Sequence, residues 1–96
     1  MNNRGYKIKK KWDQIYRLEE AIKRKTNSIL QNEDYRGRLT QRLRKKTYAY
    51  EKFHGIPDWT LHNKYKIVDN QIEELNRSIV DIRYKISSLK HEINQL

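Results

Sequence analysis

The sequence predicts an all-α protein, a long antiparallel helical hairpin of the coiled-coil type. From Leu61 to Leu96, an apolar side chain occupies all eleven positions of an alternating three-and-four spacing. This spacing averages about 3.5 residues, so it places one apolar stripe along a slightly underwound helix, as in a left-handed coiled coil. The one strong break, at residues 54–58, separates this segment from a second segment with the same period. Two helices joined by a short connection follow from these observations.

The composition supports an elongated shape. Hydrophobic residues make up 35% of the chain and charged residues another 35%, which is too polar for a thick globular core. Paired helices need to bury only a narrow stripe. The expectation is a single elongated domain over residues 1–96, with residues 1–6 as a flexible N-terminus.

The first helix is predicted over about residues 7–53. Nine of its fourteen seam positions are apolar, and the seam positions are Ile8, Lys11, Ile15, Leu18, Ile22, Lys25, Ile29, Asn32, Arg36, Leu39, Leu43, Lys46, Tyr50 and Phe53. The heptad phase is unchanged across Gly37, whereas a loop would usually shift it. One continuous helix is therefore favoured, because a long helix can carry the cost of one glycine. The alternative is three helices with a break near 31–37.

The connection is predicted at residues 54–58, followed by a second helix over about 59–95. Gly55 suits the left-handed end of a helix, Pro57 stops helix continuation, and Asp58 can cap the next helix. The shortest connection places Tyr50 opposite Leu61, so facing seam residues should have numbers that total 111. In that register residues before about 15 have no partner, and a fraying basic arm is expected there.

A homodimer is also predicted, because the second seam is more apolar than the first. Lys25, Asn32, Arg36 and Lys46 would face apolar residues that they cannot fully cover. A second copy would then pack on the apolar surface of the second helix that the first leaves uncovered, in a parallel or antiparallel arrangement. The expected dimerisation residues are Val68, Ile72, Leu75, Ile79, Ile82, Ile86, Leu89 and Ile93.

The net charge of +10 lies in the first helix. Residues 1–57 hold 16 Lys/Arg and 6 Asp/Glu, whereas residues 58–96 hold 6 of each. With Ile8 at heptad position a, position c reads Lys10, Arg17, Arg24, Gln31, Arg38, Lys45 and Lys52. A line of cations at this spacing suits a phosphate backbone.

The predicted function is non-enzymatic nucleic-acid binding, to DNA or to RNA. The main phosphate contacts are expected on the ordered body of the helix, at Arg38, Arg42, Arg44, Lys45 and Lys46. Further contacts are expected along the stripe at Arg17 and Arg24 and in the arm at Lys7, Lys9, Lys10 and Lys11. Tyr6 and Trp12 are available to stack on bases.

An alternative function is a protein-interaction module or inhibitor, which docks on a partner helix or an acidic surface. Small, basic, cysteine-free coiled coils are frequent among phage and mobile-element regulators, an association that fits this alternative. The chain has no cysteine, no apolar segment of bilayer-crossing length and no signal-peptide pattern, so a cytoplasmic location without membrane contact is expected. No catalytic motif and no cofactor site is present. The spacing of His54, Asp58 and His62 is too weak to predict a metal site.

Overall fold

The computed structural model describes residues 3–53 and 59–96, including the side chains of all these except 46–53 and 59. It contains two α-helices, α1 (Arg4–Phe53) and α2 (Trp59–Gln95), which pack against each other. Within these ranges there is no strand. The predicted all-α helical hairpin is therefore confirmed. The predicted hairpin loop at 54–58 lies outside the described residues.

The molecule is long and narrow, with extents of 80 × 15 × 14 Å. Two straight helices side by side would give a flat ribbon with unequal transverse extents. A coiled-coil pair has a superhelical pitch of about 150 Å, so it turns through about half a revolution over this length. The nearly equal transverse extents agree with such winding.

The first helix is a single element of 50 residues that runs through Gly37. The alternative with a break near 31–37 is therefore wrong. The helix also begins three residues earlier than expected, because Lys7 N–H donates to the Asn3 carbonyl at 3.0 Å and closes the first turn. Asn3 thus stands at the N-cap, a position that favours asparagine.

The core is the seam that the period predicts. The buried hydrophobic residues are Ile15, Ile29, Leu39, Leu61, Val68, Ile72, Ile79, Ile82 and Ile86, so six of the nine belong to α2. Ile15 and Leu39 are each only 1% exposed, although α1 has the poorer seam. Among the described side chains, none that is polar or charged is buried.

The pairing register differs from the expected one by about one heptad. Lys11 bonds to Glu92 at 2.7 Å and Arg36 to Asp69 at 2.6 Å, and the residue numbers of these pairs total 103 and 105. The expectation that facing residues total 111 is therefore wrong, and the observed total is about 104. The core agrees, since Ile29 shares a cluster with Leu75 rather than with Ile82.

Both registers keep the heptad phase, and each places four polar α1 residues opposite the α2 seam, so the pattern alone could not choose between them. The prediction relied on the shortest possible connection. In the observed register, the α1 segment from Ile8 to Leu43 covers all eleven seam positions of α2. The expected register would leave Ile8 and Lys11 unpaired. The expected register would also cover all eleven positions, so the two ion pairs between the helices, Lys11 with Glu92 and Arg36 with Asp69, are the feature that favours the observed register.

The eight residues predicted to dimerise lie inside the hairpin of a single chain. Val68, Ile72, Ile79, Ile82 and Ile86 are buried, and the other three, Leu75, Leu89 and Ile93, are partly buried. The surplus of apolar surface on α2 is thus largely covered by α1. Self-association remains a prediction, and pairing through this stripe would require the hairpin to open.

Replacing Gly37 with Ala should stabilise the hairpin by about 0.5–1 kcal/mol, because Gly is a poor helix former and adds freedom to the unfolded chain. A Cβ at Gly37 would have no atom within 4 Å, so no strain opposes this gain. Urea denaturation followed by circular dichroism measures the change. Gly5→Ala is the control, since that site is equally open but lies in the first turn of α1, where the gain from a better helix former is smaller than in the interior. An unchanged or lower midpoint for Gly37→Ala would contradict a continuous helix.

The register can be measured with two engineered cysteine pairs. Ile29→Cys with Leu75→Cys should form an intramolecular disulfide readily under mild oxidation, because these positions face each other. Ile29→Cys with Ile82→Cys, which would pair in the 111 register, should not, because a disulfide requires Cα atoms within about 7 Å. Mobility on non-reducing gels gives the readout. The reverse preference would show that the register is the one expected from the shortest loop.

Candidate nucleic-acid interface

The basic residues at heptad position c form one exposed edge of α1. We call Lys10, Arg17, Arg24, Arg38 and Lys45 the basic stripe, and all five are exposed. Steps of seven residues place successive cations about 10 Å apart along the helix, except between Arg24 and Arg38, where Gln31 intervenes and the step is about 21 Å. Because α1 and α2 wind around each other, the stripe keeps a constant position relative to α2. The hairpin therefore holds a line of cations on one side of a stiff rod.

Four cations of the stripe make no ion pair with another side chain that the structure describes, namely Lys10, Arg17, Arg24 and Lys45. Arg38 is the exception, since its guanidinium lies 3.3 Å from the Asp34 carboxylate and 5.9 Å from the centre of the Tyr35 ring. Both partners of the ion pair are about 70% exposed, at 68% and 75%. Such surface pairs contribute at most about 1 kcal/mol, so a phosphate can compete for the arginine.

The remaining predicted contacts outside the stripe are also exposed on α1. Lys7, Lys9, Arg42 and Arg44 make no ion pair with another side chain that the structure describes. The side chain of Lys46 lies outside the described residues.

The stripe broadens near its C-terminal end, where a shallow depression of about 440 Å³ opens on α1. Its lining residues are Tyr35, Arg38, Leu39, Gln41, Arg42 and Lys45. Three cations, Arg38, Arg42 and Lys45, thus surround one concave surface, where their positive potentials add. This is the cluster for which the sequence predicted the main phosphate contacts.

Lys11 differs from the other lysines of the predicted interface, because it is engaged within the hairpin. Its side chain is only 28% exposed, and its ammonium donates to the Glu92 carboxylate at 2.7 Å. Lys11 thus belongs to the contact between the helices.

The expectation of a fraying basic arm is also wrong, since Ile8 is partly buried and α1 is helical from Arg4. Lys7, Lys9 and Lys10 are presented by an ordered helix, as are the cations near Arg38. A difference in order therefore gives no reason to expect stronger phosphate contacts near Arg38 than at Lys7, Lys9 and Lys10.

Sequence reasoning missed Tyr16, whose side chain is 64% exposed. It lies four residues after Trp12, which is 48% exposed, and such residues are neighbours on a helix surface. Tyr6, near the start of α1, is 68% exposed, and the Lys10 ammonium lies 5.9 Å from its ring centre. The signal was available, since an aromatic residue outside the seam positions has no core to enter.

A second surface feature is an open groove of about 490 Å³ between the helices. Its lining residues are Gln14, Arg17, Leu18, Tyr84, Lys85, Ser88, Leu89 and Glu92. Tyr84 is the most exposed aromatic residue that the structure describes, at 75%. This groove adjoins the basic stripe at Arg17.

Other kinds of site find little support in the part of the chain that the structure describes. Over residues 3–53 and 59–96, no three His, Cys, Asp or Glu side chains gather as metal ligands would. In the same ranges, neither helix contains an apolar segment of the length that a membrane crossing needs.

Comparisons with known proteins give no family assignment. No protein-family model matches the chain, and no similar sequence was found among curated proteins or solved structures. Any functional inference therefore rests on the residues themselves.

Proposed function

We propose that this chain is a non-enzymatic nucleic-acid-binding protein that contacts phosphates through the basic stripe of α1. The observation that carries the proposal is the separation of charge between two helices of one rod. The α1 helix contains 16 Lys/Arg against 6 Asp/Glu, whereas α2 contains 6 against 5. An excess of this size on one element produces a positive potential along a single side.

The rigidity of the hairpin supports this function. A cation that is already ordered by its helix loses less entropy on binding than one on a flexible tail. The stripe runs from Lys10 to Lys45, about 50 Å along α1, so a polyanion can engage several cations at once. Each phosphate contact releases condensed counterions, and the summed effect gives affinity without a shaped pocket. Binding of this kind has modest sequence preference.

A second candidate function is a protein-interaction module, and the groove beside Leu18, Tyr84 and Leu89 favours it. Aromatic and aliphatic side chains around an open groove are typical of protein contacts. The two functions separate in a pull-down after nuclease digestion. A partner that is retained without nucleic acid would favour the interaction module, and loss of all partners would favour nucleic-acid binding.

The charge of the stripe should determine affinity and salt dependence. Replacing Arg17, Arg24 and Arg38 with Gln should lower affinity for duplex DNA or structured RNA by tenfold or more at about 50 mM salt. The slope of log K against log salt should fall by about two to three, because three phosphate contacts are lost. Fluorescence anisotropy across a salt series provides both numbers.

The matched control replaces three exposed α2 cations, Lys66, Arg83 and Lys90, with Gln. It removes the same net charge from the other helix, so its effect should be much smaller. Equal losses for the two triple variants would mean that net charge alone governs binding. Absence of binding to any nucleic acid at about 50 mM salt would refute the proposed function.

The neighbouring lysines Lys10 and Lys11 should behave differently. Lys10→Gln should weaken nucleic-acid binding, because its ammonium is exposed on the stripe. Lys11→Gln should leave affinity nearly unchanged, because Lys11 is engaged with Glu92 at 2.7 Å between the helices. Each variant removes one positive charge, so the change in net charge is the same for both and cannot explain a difference in their affinities. A larger loss for Lys11→Gln would show that this lysine leaves Glu92 to contact the ligand.

A further inference from the structure

We infer that the N-terminal part of α1 binds unpaired bases, so that the preferred ligand of the proposed nucleic-acid-binding function includes a single-stranded segment. The surface consists of Tyr6, Lys9, Trp12 and Tyr16, which we call the aromatic–lysine face. The inference rests on the proposed function and specifies which form of nucleic acid this end of the hairpin recognises.

The members of this face are neighbours on one helix. Lys9 lies three residues from both Tyr6 and Trp12, and Tyr16 lies four residues after Trp12. Residues three or four apart on a helix have Cβ atoms about 5–6 Å apart, so the three rings and the lysine form one continuous surface.

The rings of this face remain uncovered by the hairpin. Tyr6, Trp12 and Tyr16 are 68%, 48% and 64% exposed. The apolar seam of the same segment, at Ile8 and Ile15, is turned into the contact with α2. Single exposed apolar residues are common, but three large aromatic side chains within eleven residues mark a contact surface.

The charge around the rings selects a polyanion as the occupant. Residues 4–20 carry six Lys/Arg and three Asp/Glu, so this end of α1 has a net charge of +3. The cations Lys9 and Lys10 neighbour Tyr6, whereas the acidic residues Asp13, Glu19 and Glu20 neighbour Tyr16. The Lys10 ammonium is 5.9 Å from the centre of the Tyr6 ring, so a cation stands directly beside this ring. Cations interleaved with exposed aromatic rings are the combination that binds single strands, since the rings stack on bases and the cations hold the backbone.

Stacking also distinguishes the single strand from the duplex. In a duplex the base faces are already stacked, and protruding side chains reach only base edges and phosphates. Unpaired bases can turn out onto aromatic side chains. The aromatic–lysine face should therefore add affinity for single strands beyond what the charge of α1 provides for both forms.

The test uses Trp12 as a fluorescent probe. The chain has two tryptophans, so Trp59→Phe leaves Trp12 as the single emitter. An oligo(dT) strand of about twenty nucleotides, long enough to span a typical single-strand site, should quench this emission at low salt. The same length of duplex DNA should quench it weakly. Vesicles of phosphatidylserine and phosphatidylcholine are the parallel probe for a membrane surface.

Variants then separate stacking from charge. Trp12→Leu and Tyr16→Leu keep apolar bulk and net charge but remove a ring, so each should weaken oligo(dT) binding by roughly fivefold or more. Duplex affinity should change little, and Trp12→Phe should restore part of the loss. Tyr84→Leu is the matched control, since Tyr84 belongs to the groove with Leu18 and Leu89. Circular dichroism confirms that helicity is kept, which is expected for the 64% exposed Tyr16.

Each outcome of these experiments either supports the inference or overturns it. Quenching by oligo(dT), with selective loss of single-strand affinity in the two ring variants, would support the inference. Salt-sensitive binding that is identical for the parent and the ring variants would overturn the inference and leave the proposed function standing. Quenching by vesicles but not by oligo(dT) would overturn it in favour of a membrane surface. Failure to bind any nucleic acid at low salt would overturn the proposed function and this inference together.

Discussion

The uninterrupted apolar stripe of α2 is the constraint on which the rest of the structure depends. A helix with this stripe is unstable alone in water, and most helical stability in proteins comes from packing of an apolar face. The partner, α1, has a broken seam and a large excess of like charge, so it too would be a poor isolated helix. Pairing with α2 is what orders a 50-residue basic helix. Thus α2 provides the apolar scaffold, and α1 carries the candidate interface.

The polar residues in the α1 seam tell the two registers apart. Lys11 and Arg36 reach the rim of the seam and pair with Glu92 and Asp69, whereas Asn32 donates to the Ser28 carbonyl at 2.9 Å. A slide of one heptad would keep the apolar stripe aligned but would break both ion pairs between the helices. Partly exposed ion pairs add little to stability, yet they can still separate two arrangements whose hydrophobic packing is similar. Polar positions that weaken the core in this way give it a defined register.

The sequence was sufficient to predict the two helices and the buried residues, but insufficient to predict how the helices align with each other. The unbroken phase across Gly37 correctly predicted one helix, and the seam period identified the residues that are buried, such as Ile15 and Leu39. The register was missed because a heptad repeat aligns with itself every seven residues, and the assumption of a short loop selected the wrong alignment. The false basic arm followed from this error. The exposure of the stripe could be predicted from helical position. The ion pair of Lys11 with Glu92 could not, because it depends on the register.

The charges of α1 link binding to the stability of the hairpin. Most neighbouring cations of the stripe are about 10 Å apart, close to the Debye length at physiological salt, so their mutual repulsion is modest there and grows as salt falls. The apolar seam must hold the helix together against this repulsion. A bound phosphate backbone neutralises the same cations, so it removes a destabilising interaction of the folded state while it gains contacts. A ligand that prefers the ordered stripe over the unfolded chain stabilises the fold in proportion to its binding. The low-salt condition that favours polyanion binding is therefore also the condition in which the free hairpin is least stable.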